Sequence, residues 1–469
     1  MRGTGTRATT IDGVGTELST KRMAARPDQA EAAEAGPAQT GENPAGTISV
    51  ARAWRPALLI LFNLAAIAAY LITIGGDHAT DHLDLQVYRI GAQVWMHGGS
   101  LYGTIPVTPD GAALLFTYPP ISAILFTPFE LMPLAVAGLV LTVINVALVA
   151  AVLYRVLLTL NVSVDRRRMV WLVGLILPVA LYIEPIRSTI SYGQVNLILM
   201  ALVVFDCLSV SPRWPRGSLI GLAAAIKLTP IVFVLYLLLN RDVRSAIRAV
   251  AAFVLVTGVG FLLAWHDSVK FWGSAVWDSG RVGPAIYAGN QSISGMLGRY
   301  DMPAHLRSAL YPLLCGLVVV LAALAVRKAF AADRPVWALF FNALMGLLVS
   351  PIAWTHHWVW MVLGVIALWV VGRATGARLP VYLAVGGGVM IALAPEWWLP
   401  HGGNLELRWS LWEQVVGSEY TIYAIAVLVL AVFSRAMWVT PKAAIPEQNG
   451  SDAAIPGQPI PAKAVTQAM

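Results

Sequence analysis

Asp84 is the residue of this chain whose setting best suits proton transfer. Its neighbours Leu83, Leu85, Val87 and Tyr88 are largely apolar, and it follows an apolar run of membrane-spanning length. Partial loss of hydration raises the pKa of a carboxyl group and makes its anion a better proton acceptor. The pattern predicts a general base, although a helix N-cap or a solvated charge at the membrane interface would look the same in the sequence.

Two adjacent histidines, His356 and His357, form a second candidate site. Neighbouring positions of a helix point about 100° apart, so both rings cannot bind one metal ion from a regular helix. Neither the i,i+4 histidine pair of a zinc helix nor a carboxylate cluster is present, and no metal or other cofactor is expected. We expect one ring to donate to a phosphate or a sugar hydroxyl while the other packs; two interfacial histidines are the alternative.

Lys227 lies in the middle of an apolar stretch, 218–239, which it interrupts together with Pro230. A charge at membrane depth is costly and therefore a functional candidate, here as a cation for an anionic substrate. Snorkelling of the ammonium to the membrane surface is the alternative. Arg187 and Arg281 stand in segments predicted to face outward, against the usual charge bias, and are further candidates for binding phosphate.

Other polar residues interrupt or end apolar segments and are predicted to contact substrate. They are Tyr88, Tyr118, Gln194, Asn196, Asn290 and Gln291. The tryptophans of the predicted outer loops fit an aromatic belt at the interface, and they would also suit stacking on sugars.

The composition is that of an all-α, polytopic membrane protein. Of 469 residues, 58% are hydrophobic and only 12% charged, against about 25% charged in soluble domains. Apolar runs at 57–74, 134–154, 249–265 and 310–326 approach the length that a bilayer requires. The net charge is +7, and basic residues occur in short clusters between these runs. This pattern favours cytoplasmic loops over a nucleic-acid surface. Cys207 and Cys315 lie in apolar spans and are expected to pack.

Basic residues predict the topology, with both termini in the cytoplasm and about ten spans. Span one covers 56–75, span two follows a non-spanning segment at 116–126 that Pro128 closes, and a turn at 184–193 joins spans three and four. Two half-helices meet at Lys227, and span ten ends at Arg435. The predicted domains are a disordered cytoplasmic tail at 1–53, a transmembrane domain at 54–437 and a second disordered cytoplasmic tail at 438–469.

Six short motifs together resemble a known family. In chain order they are DLQVY at 84–88, FTYPP at 116–120, GQVN at 193–196, AIKLTP at 225–230, NQS at 290–292 and SPIAWTHH at 350–357. Their order is similar to that of the actinobacterial α-(1→2)-mannosyltransferases of glycosyltransferase family 87, which use polyprenyl-phosphate-mannose. The resemblance covers about residues 56–436 and implies a GT-C-type bundle of 10–12 transmembrane helices with interfacial segments at its outer face.

The resemblance also implies a reaction. An acceptor hydroxyl displaces the phosphate of a lipid-linked β-mannose with inversion, at the outer face of the plasma membrane, without a metal ion. Asp84 matches the family's general base, and His356 and His357 match its outer histidine motif. The acceptor is either a phosphatidylinositol mannoside or the mannan of lipomannan and lipoarabinomannan. An arabinofuranosyltransferase using decaprenyl-phosphate-arabinose is the alternative enzyme. A lipid-linked-sugar flippase or transporter is the alternative class, although no internal repeat supports it.

Overall fold

The computed structural model describes residues 82–109, 111–300 and 302–439, and this part of the chain is helical. The only β pairing in these ranges is one bridge between Asn290 and Trp354. The α-helices are α1 Leu83–Met96, α2 Pro120–Glu130, α3 Leu134–Thr159, α4 Arg166–Tyr182, α5 Glu184–Tyr192, α6 Asn196–Leu208, α7 Ser218–Ile226, α8 Phe233–Leu239, α9 Val243–Leu263, α10 Trp265–Gly273, α11 Ile293–Arg299, α12 Ala304–Ala331, α13 Pro335–Val349, α14 Met361–Thr375, α15 Arg378–Leu393, α16 Leu411–Val416 and α17 Glu419–Phe433. Short 3₁₀ helices occupy Thr229–Val232, Ala275–Trp277, Ser279–Arg281, Thr355–Trp360, Pro395–Trp398, Leu405–Arg408 and Arg435–Met437.

Five helical segments of the described residues are long and apolar enough to cross a membrane. They are Leu134–Thr159, Val243–Leu263, Ala304–Ala331, Thr355–Thr375 and Arg378–Trp398. The bent pair α4 and α5 can form a sixth span, and four apolar helices of 10–17 residues accompany them. These helices confirm an all-α, multi-pass membrane protein. The predicted span at 56–75 and the tail at 1–53 lie outside the described residues, as does the predicted C-terminal tail beyond Val439.

The segment predicted not to span the membrane contains the short helix α2. Pro119 and Pro120 mark its start, where a missing N–H is tolerated. The prediction that Pro128 closes the segment is wrong, because α2 continues past it to Glu130. Eleven helical residues reach only about 16 Å, about half the thickness of the hydrocarbon core, so α2 is too short to cross.

The segment predicted as a turn between spans three and four is instead a helix. The extended backbone of Ile183 ends α4, and α5 then leaves at 73° to it. Pro185 stands in the first turn of α5, where proline is compatible with a helix. The segment contains few apolar residues and begins with Glu184 and Pro185, so the sequence analysis predicted a polar turn where nine residues are helical.

The apolar stretch at 218–239 is broken at Lys227, as predicted. α7 ends at Ile226, Lys227 has an extended backbone with φ −144°, and a 3₁₀ turn containing Pro230 precedes α8. Since the backbone is not helical there, the side chain of Lys227 emerges between two half-helices. This break, the start of α1 and the link between α5 and α6 meet around one cavity.

Candidate active site

Asp84 lies in the first turn of α1, outside the candidate membrane spans, and lines a cavity of about 410 Å³. Burial raises its pKa from 3.8 to about 6. A hydrogen bond from the Gln194 side chain and the positive charge of Lys227 act in the opposite sense and limit the rise. The carboxyl group is thus an anion near neutral pH with a greater proton affinity than an ordinary aspartate.

Gly193 allows Gln194 to reach this carboxylate. It ends α5 with φ +67°, a conformation that suits glycine. A Cβ atom at this position would lie 2.7 Å from the Cβ atom of Leu85. The link between α5 and α6 therefore packs directly against the first turn of α1, which places Gln194 beside Asp84.

Two buried tyrosines fix the orientation of the Gln194 amide. The hydroxyl of Tyr88 donates to Gln194 Oε1 at 2.7 Å, and that of Tyr118 approaches the same oxygen at 3.1 Å. The two hydroxyl oxygens are 2.8 Å apart. Because a tyrosine hydroxyl has one hydrogen to donate, this oxygen serves as the acceptor for the pair. The amide nitrogen of Gln194 is then left to donate to Asp84.

Lys227 links this cluster to the second predicted one. Its Nζ atom donates to Asn196 Oδ1 at 3.1 Å and lies 3.2 Å from His357 Nε2. The ammonium also stands 5.3 Å from the centre of the Tyr118 ring. Residues that are far apart in the sequence therefore form one connected polar network at the cavity wall.

The two histidines have different surroundings, as the sequence predicted. His357 lines the cavity and contacts Lys227. The His356 ring is buried with its centre 5.2 Å from that of Tyr192, and its carbonyl oxygen accepts hydrogen bonds from Thr189 and Asn196. The ring planes are perpendicular to each other. Only His357 is placed to meet a molecule in the cavity.

Glu184 is a positioning residue that the sequence reasoning missed. It is 1% exposed, and Ser188 and Thr355 each donate to its Oε1 atom at 2.7 Å. The hydroxyl of Tyr420 donates to Oε2 at 3.3 Å. These bonds connect α5 to the start of the 3₁₀ helix Thr355–Trp360, which contains both histidines and is called the histidine segment below. An acidic residue between two apolar runs was the available signal, but the assignment of a turn made it look solvent-exposed.

Six predicted substrate contacts do not line the cavity. Tyr88, Asn196 and His356 contact residues that do line it, whereas Asn290, Gln291 and Arg187 have other partners. Asn290 donates to the carbonyl groups of Ala285 and Pro351, and Gln291 donates to those of Ala288 and Gly417. Arg187 lies over the Tyr182 ring at 5.5 Å, on α5. The structure gives the two amides backbone partners, and together with the bridge to Trp354 they join the segment between α10 and α11 to residues 351–355.

The cavity combines a proton acceptor with cationic groups and donors. Its polar lining includes Asp84, Gln194, Lys227, His357, Asp278 and Arg281, and its apolar lining includes Val87, Leu115, Phe116, Phe271 and Val349. No three His, Cys, Asp or Glu side chains of the described ranges converge as metal ligands. An anion in the cavity would meet positive charge close to a base, which is the arrangement that displacement of a phosphate by a hydroxyl requires.

Comparison with known proteins agrees with this chemistry. The model of the family described as glycosyltransferase family 87 matches residues 116–351. This range includes Tyr118, Gln194, Asn196 and Lys227, whereas Asp84 lies before it. No solved structure matches the chain.

Curated relatives match between 74% and 83% of the chain. A polyprenol-phosphate-mannose-dependent alpha-(1-2)-phosphatidylinositol mannoside mannosyltransferase of Mycobacterium tuberculosis is 36% identical over 82% of this chain and 92% of its own length. The protein of the same description from Mycolicibacterium smegmatis is 38% identical over 74% and 83%. A phosphatidylinositol pentamannoside mannosyltransferase of M. tuberculosis is 32% identical over 83% and 88%. The family match and these relatives show that the chain is a membrane glycosyltransferase and belongs to glycosyltransferase family 87.

Proposed function

We propose that the protein transfers mannose from polyprenol-phosphate-mannose to a phosphatidylinositol mannoside and forms an α-(1→2) linkage. The names of the relatives support the donor, the acceptor class and the linkage. The observation that carries the mechanism is Asp84, a carboxylate of raised pKa that lines the same cavity as Lys227 and His357.

The proposed reaction is a single displacement. The 2-hydroxyl oxygen of the acceptor mannose attacks C1 of the donor sugar while its proton passes to Asp84. The bond between C1 and the phosphate oxygen breaks, and the electron pair leaves with the lipid phosphate. A β-linked donor then gives an α-linked product, so configuration inverts. A positioned base contributes about 10²- to 10⁴-fold to the rate of such a step.

Gln194 has the role of a positioning residue in this mechanism. Its oxygen is held by two tyrosines, so its nitrogen points to Asp84 and fixes the direction of the carboxylate. The hydrogen bond from Gln194 and, to a smaller extent, the positive charge of Lys227 lower the pKa of Asp84 against the effect of burial. His357 lies where it can donate to the sugar or the phosphate.

The relatives favour one acceptor over another. Identity is 36% and 38% to the two phosphatidylinositol mannoside enzymes but 32% and 33% to the two pentamannoside enzymes. We therefore propose a phosphatidylinositol mannoside as the acceptor, ahead of a phosphatidylinositol pentamannoside and of lipomannan or lipoarabinomannan.

The cavity is proposed to open on the outer face of the plasma membrane, with both termini in the cytoplasm. The basic cluster at 166–168 begins α4, and the positive-inside rule places it in the cytoplasm. One predicted span separates this cluster from Asp84, and another separates it from α5. Asp84 and α5 are therefore proposed to lie on the opposite, outer side.

An assay with purified protein in detergent tests the proposed activity. Radiolabelled polyprenol-phosphate-mannose and a series of phosphatidylinositol mannosides are the substrates, and linkage analysis should show a new terminal 2-linked mannose. Transfer of arabinose from decaprenyl-phosphate-arabinose instead would identify the alternative enzyme. Absence of transfer in detergent, with movement of the lipid-linked sugar across sealed vesicles, would establish a transporter.

Cysteine labelling tests the proposed face. Thr104 and Arg167 are both exposed, one in the loop after α1 and the other at the start of α4. In intact cells a membrane-impermeant maleimide should label Thr104→Cys, whereas Arg167→Cys should react only after lysis. The reverse pattern would place the cavity in the cytoplasm.

A further inference from the structure

The guanidinium of Arg281 has hydrogen-bond donors that find no acceptor among the described residues. This residue ends the 3₁₀ turn Ser279–Arg281 and lines the cavity that contains Asp84. Its Nε and Nη2 atoms are buried and have no hydrogen-bond partner among the described residues. The guanidinium lies 5.8 Å from the centre of the Tyr102 ring. Buried donors of a cation are costly to leave unsatisfied, so this group indicates an anionic ligand.

The loop around Arg281 is held against the rest of the cavity wall. Asp278 Oδ1 accepts from the N–H of Gly280 at 3.1 Å and so caps the turn. Gly283 has φ +140°, and a Cβ atom there would lie 2.9 Å from the Trp354 ring. Trp354 precedes the histidine segment and lines the same cavity. The turn that contains Arg281 thus packs against the wall of the cavity that Asp84 and Lys227 also line.

The other cation of the cavity is already engaged. An ammonium has three hydrogens to donate, and Lys227 contacts Asn196 and His357 and acts electrostatically on Asp84. Arg281 instead presents a planar fork, which matches two phosphate oxygens at once. Two carboxylates are near its loop: Asp278 caps the turn, and Asp267 accepts from the N–H of Leu101 at 3.0 Å.

We propose that Arg281 is the residue that binds the phosphate of the polyprenyl-phosphate donor and holds it as the leaving group, while Lys227 serves the base. This assignment rests on the proposed function and deepens it. When the bond between C1 and the phosphate oxygen breaks, the phosphate gains a negative charge, and the guanidinium stabilises that charge. The proton of the acceptor hydroxyl goes to Asp84, which lines the same cavity.

Direct binding of a short lipid monophosphate tests Arg281 without relying on transfer. Farnesyl phosphate is the probe, and farnesol, which has the same chain without the charge, is its control. Arg281→Gln should weaken binding of farnesyl phosphate roughly 10- to 100-fold, since a charge-assisted pair is lost, and should leave farnesol unaffected. Arg281→Lys should fall between, because it keeps the charge and loses the fork. Arg408→Gln is the matched control, since Arg408 is exposed and does not line the cavity.

Kinetics supply the second readout. In Arg281→Gln the KM for the donor should rise while the KM for the acceptor and the acid limb of the pH profile stay in place. Binding of farnesyl phosphate by folded Arg281→Gln within twofold of wild type would overturn the assignment, as would no binding by wild type. If wild type binds the probe through Arg281 but transfers no mannose, the phosphate site stands and the proposed function fails. Thermal melting in detergent identifies variants that do not fold. If Arg281→Gln is one of them, the binding of farnesyl phosphate by Arg281→Lys decides the test.

Discussion

The molecule contains two pairs of buried amide side chains, each made of one asparagine and one glutamine, that make different kinds of contact. Gln194 lines the cavity and Asn196 contacts Lys227 in its wall, whereas Asn290 and Gln291 lie where residues 289–291 pair with residues 353–355. All four are at most 6% exposed. The first pair contacts side chains that can carry charge, namely Asp84 and Lys227, whereas the second pair bonds mainly to backbone carbonyls.

Burial and residue type therefore do not separate a reactive site from the scaffold that supports it. What separates them is the chemistry of the partner and the presence of open space. A buried amide that satisfies backbone groups holds two segments together. A buried amide that faces an ionisable group sets the direction and proton affinity of that group.

The largest effect should come from Asp84→Asn, because the amide cannot accept the proton of the acceptor hydroxyl. We expect the rate of mannose transfer to fall by at least about 10²-fold, with the melting temperature in detergent close to that of wild type. Initial rates with radiolabelled donor measure this. Activity within a few-fold of wild type would remove Asp84 from the mechanism.

The pH profile tests the same base in the unmodified protein. The pKa of Asp84 is raised to about 6, so the carboxyl group becomes protonated, and inactive as a base, as the pH falls through this value. Below it, kcat/KM should decrease about tenfold for each pH unit. A profile that stays flat down to pH 4.5 would show that no such group titrates in the free enzyme.

The matched variants Gln194→Leu and Gln291→Leu sharpen the comparison of the two amide pairs. Gln194→Leu should reduce kcat about tenfold or more, because Asp84 loses the donor that orients it. Gln291→Leu should leave kcat nearly unchanged in the folded fraction and lower stability by about 1–3 kcal/mol, because the carbonyl groups of Ala288 and Gly417 lose their partner. Paired assays of rate and thermal melting measure both, and an exchange of the two outcomes would reverse the assignment.

The smallest expected effect is a displacement of the pH profile in Lys227→Met. The positive charge of Lys227 lowers the pKa of Asp84, so its removal should move the acid limb to higher pH. Single-turnover rates across pH detect this displacement even when overall activity is reduced. An acid limb that stays in place, or moves to lower pH, would show that Lys227 does not act on the base.

The sequence predicted the membrane class, the break at Lys227 and the different surroundings of the two histidines. Each depends on a local signal: a long apolar run, a charge beside a proline, or two rings on adjacent positions. These local signals gave wrong predictions where the structure depends on contacts between residues that are distant in the sequence. α5 was missed because its buried face contacts residues about 170 and 236 positions away, through Thr355 and Tyr420.

The prediction that Asn290 and Gln291 contact substrate also depended on a local signal alone. A polar motif at the end of an apolar run looks alike whether it meets a cavity or another loop. Only the pairing of 289–291 with 353–355, which brings two motifs together, reveals that these amides join segments. The raised pKa of Asp84 was predictable in direction from its apolar neighbours, but its limit at about 6 was not, since Gln194 and Lys227 come from links between helices that are distant in the sequence.

The contact between Gly193 and Leu85 has a consequence for the evolution of this enzyme. A single methyl group at position 193 would force apart the two backbones that hold the base and its amide partner, and it would also need a conformation that alanine avoids. Substitution at position 193 is therefore restricted by backbone packing and conformation, although glycine itself has no group that could take part in the chemistry. The contact between Gln194 and Asp84 depends on this spacing.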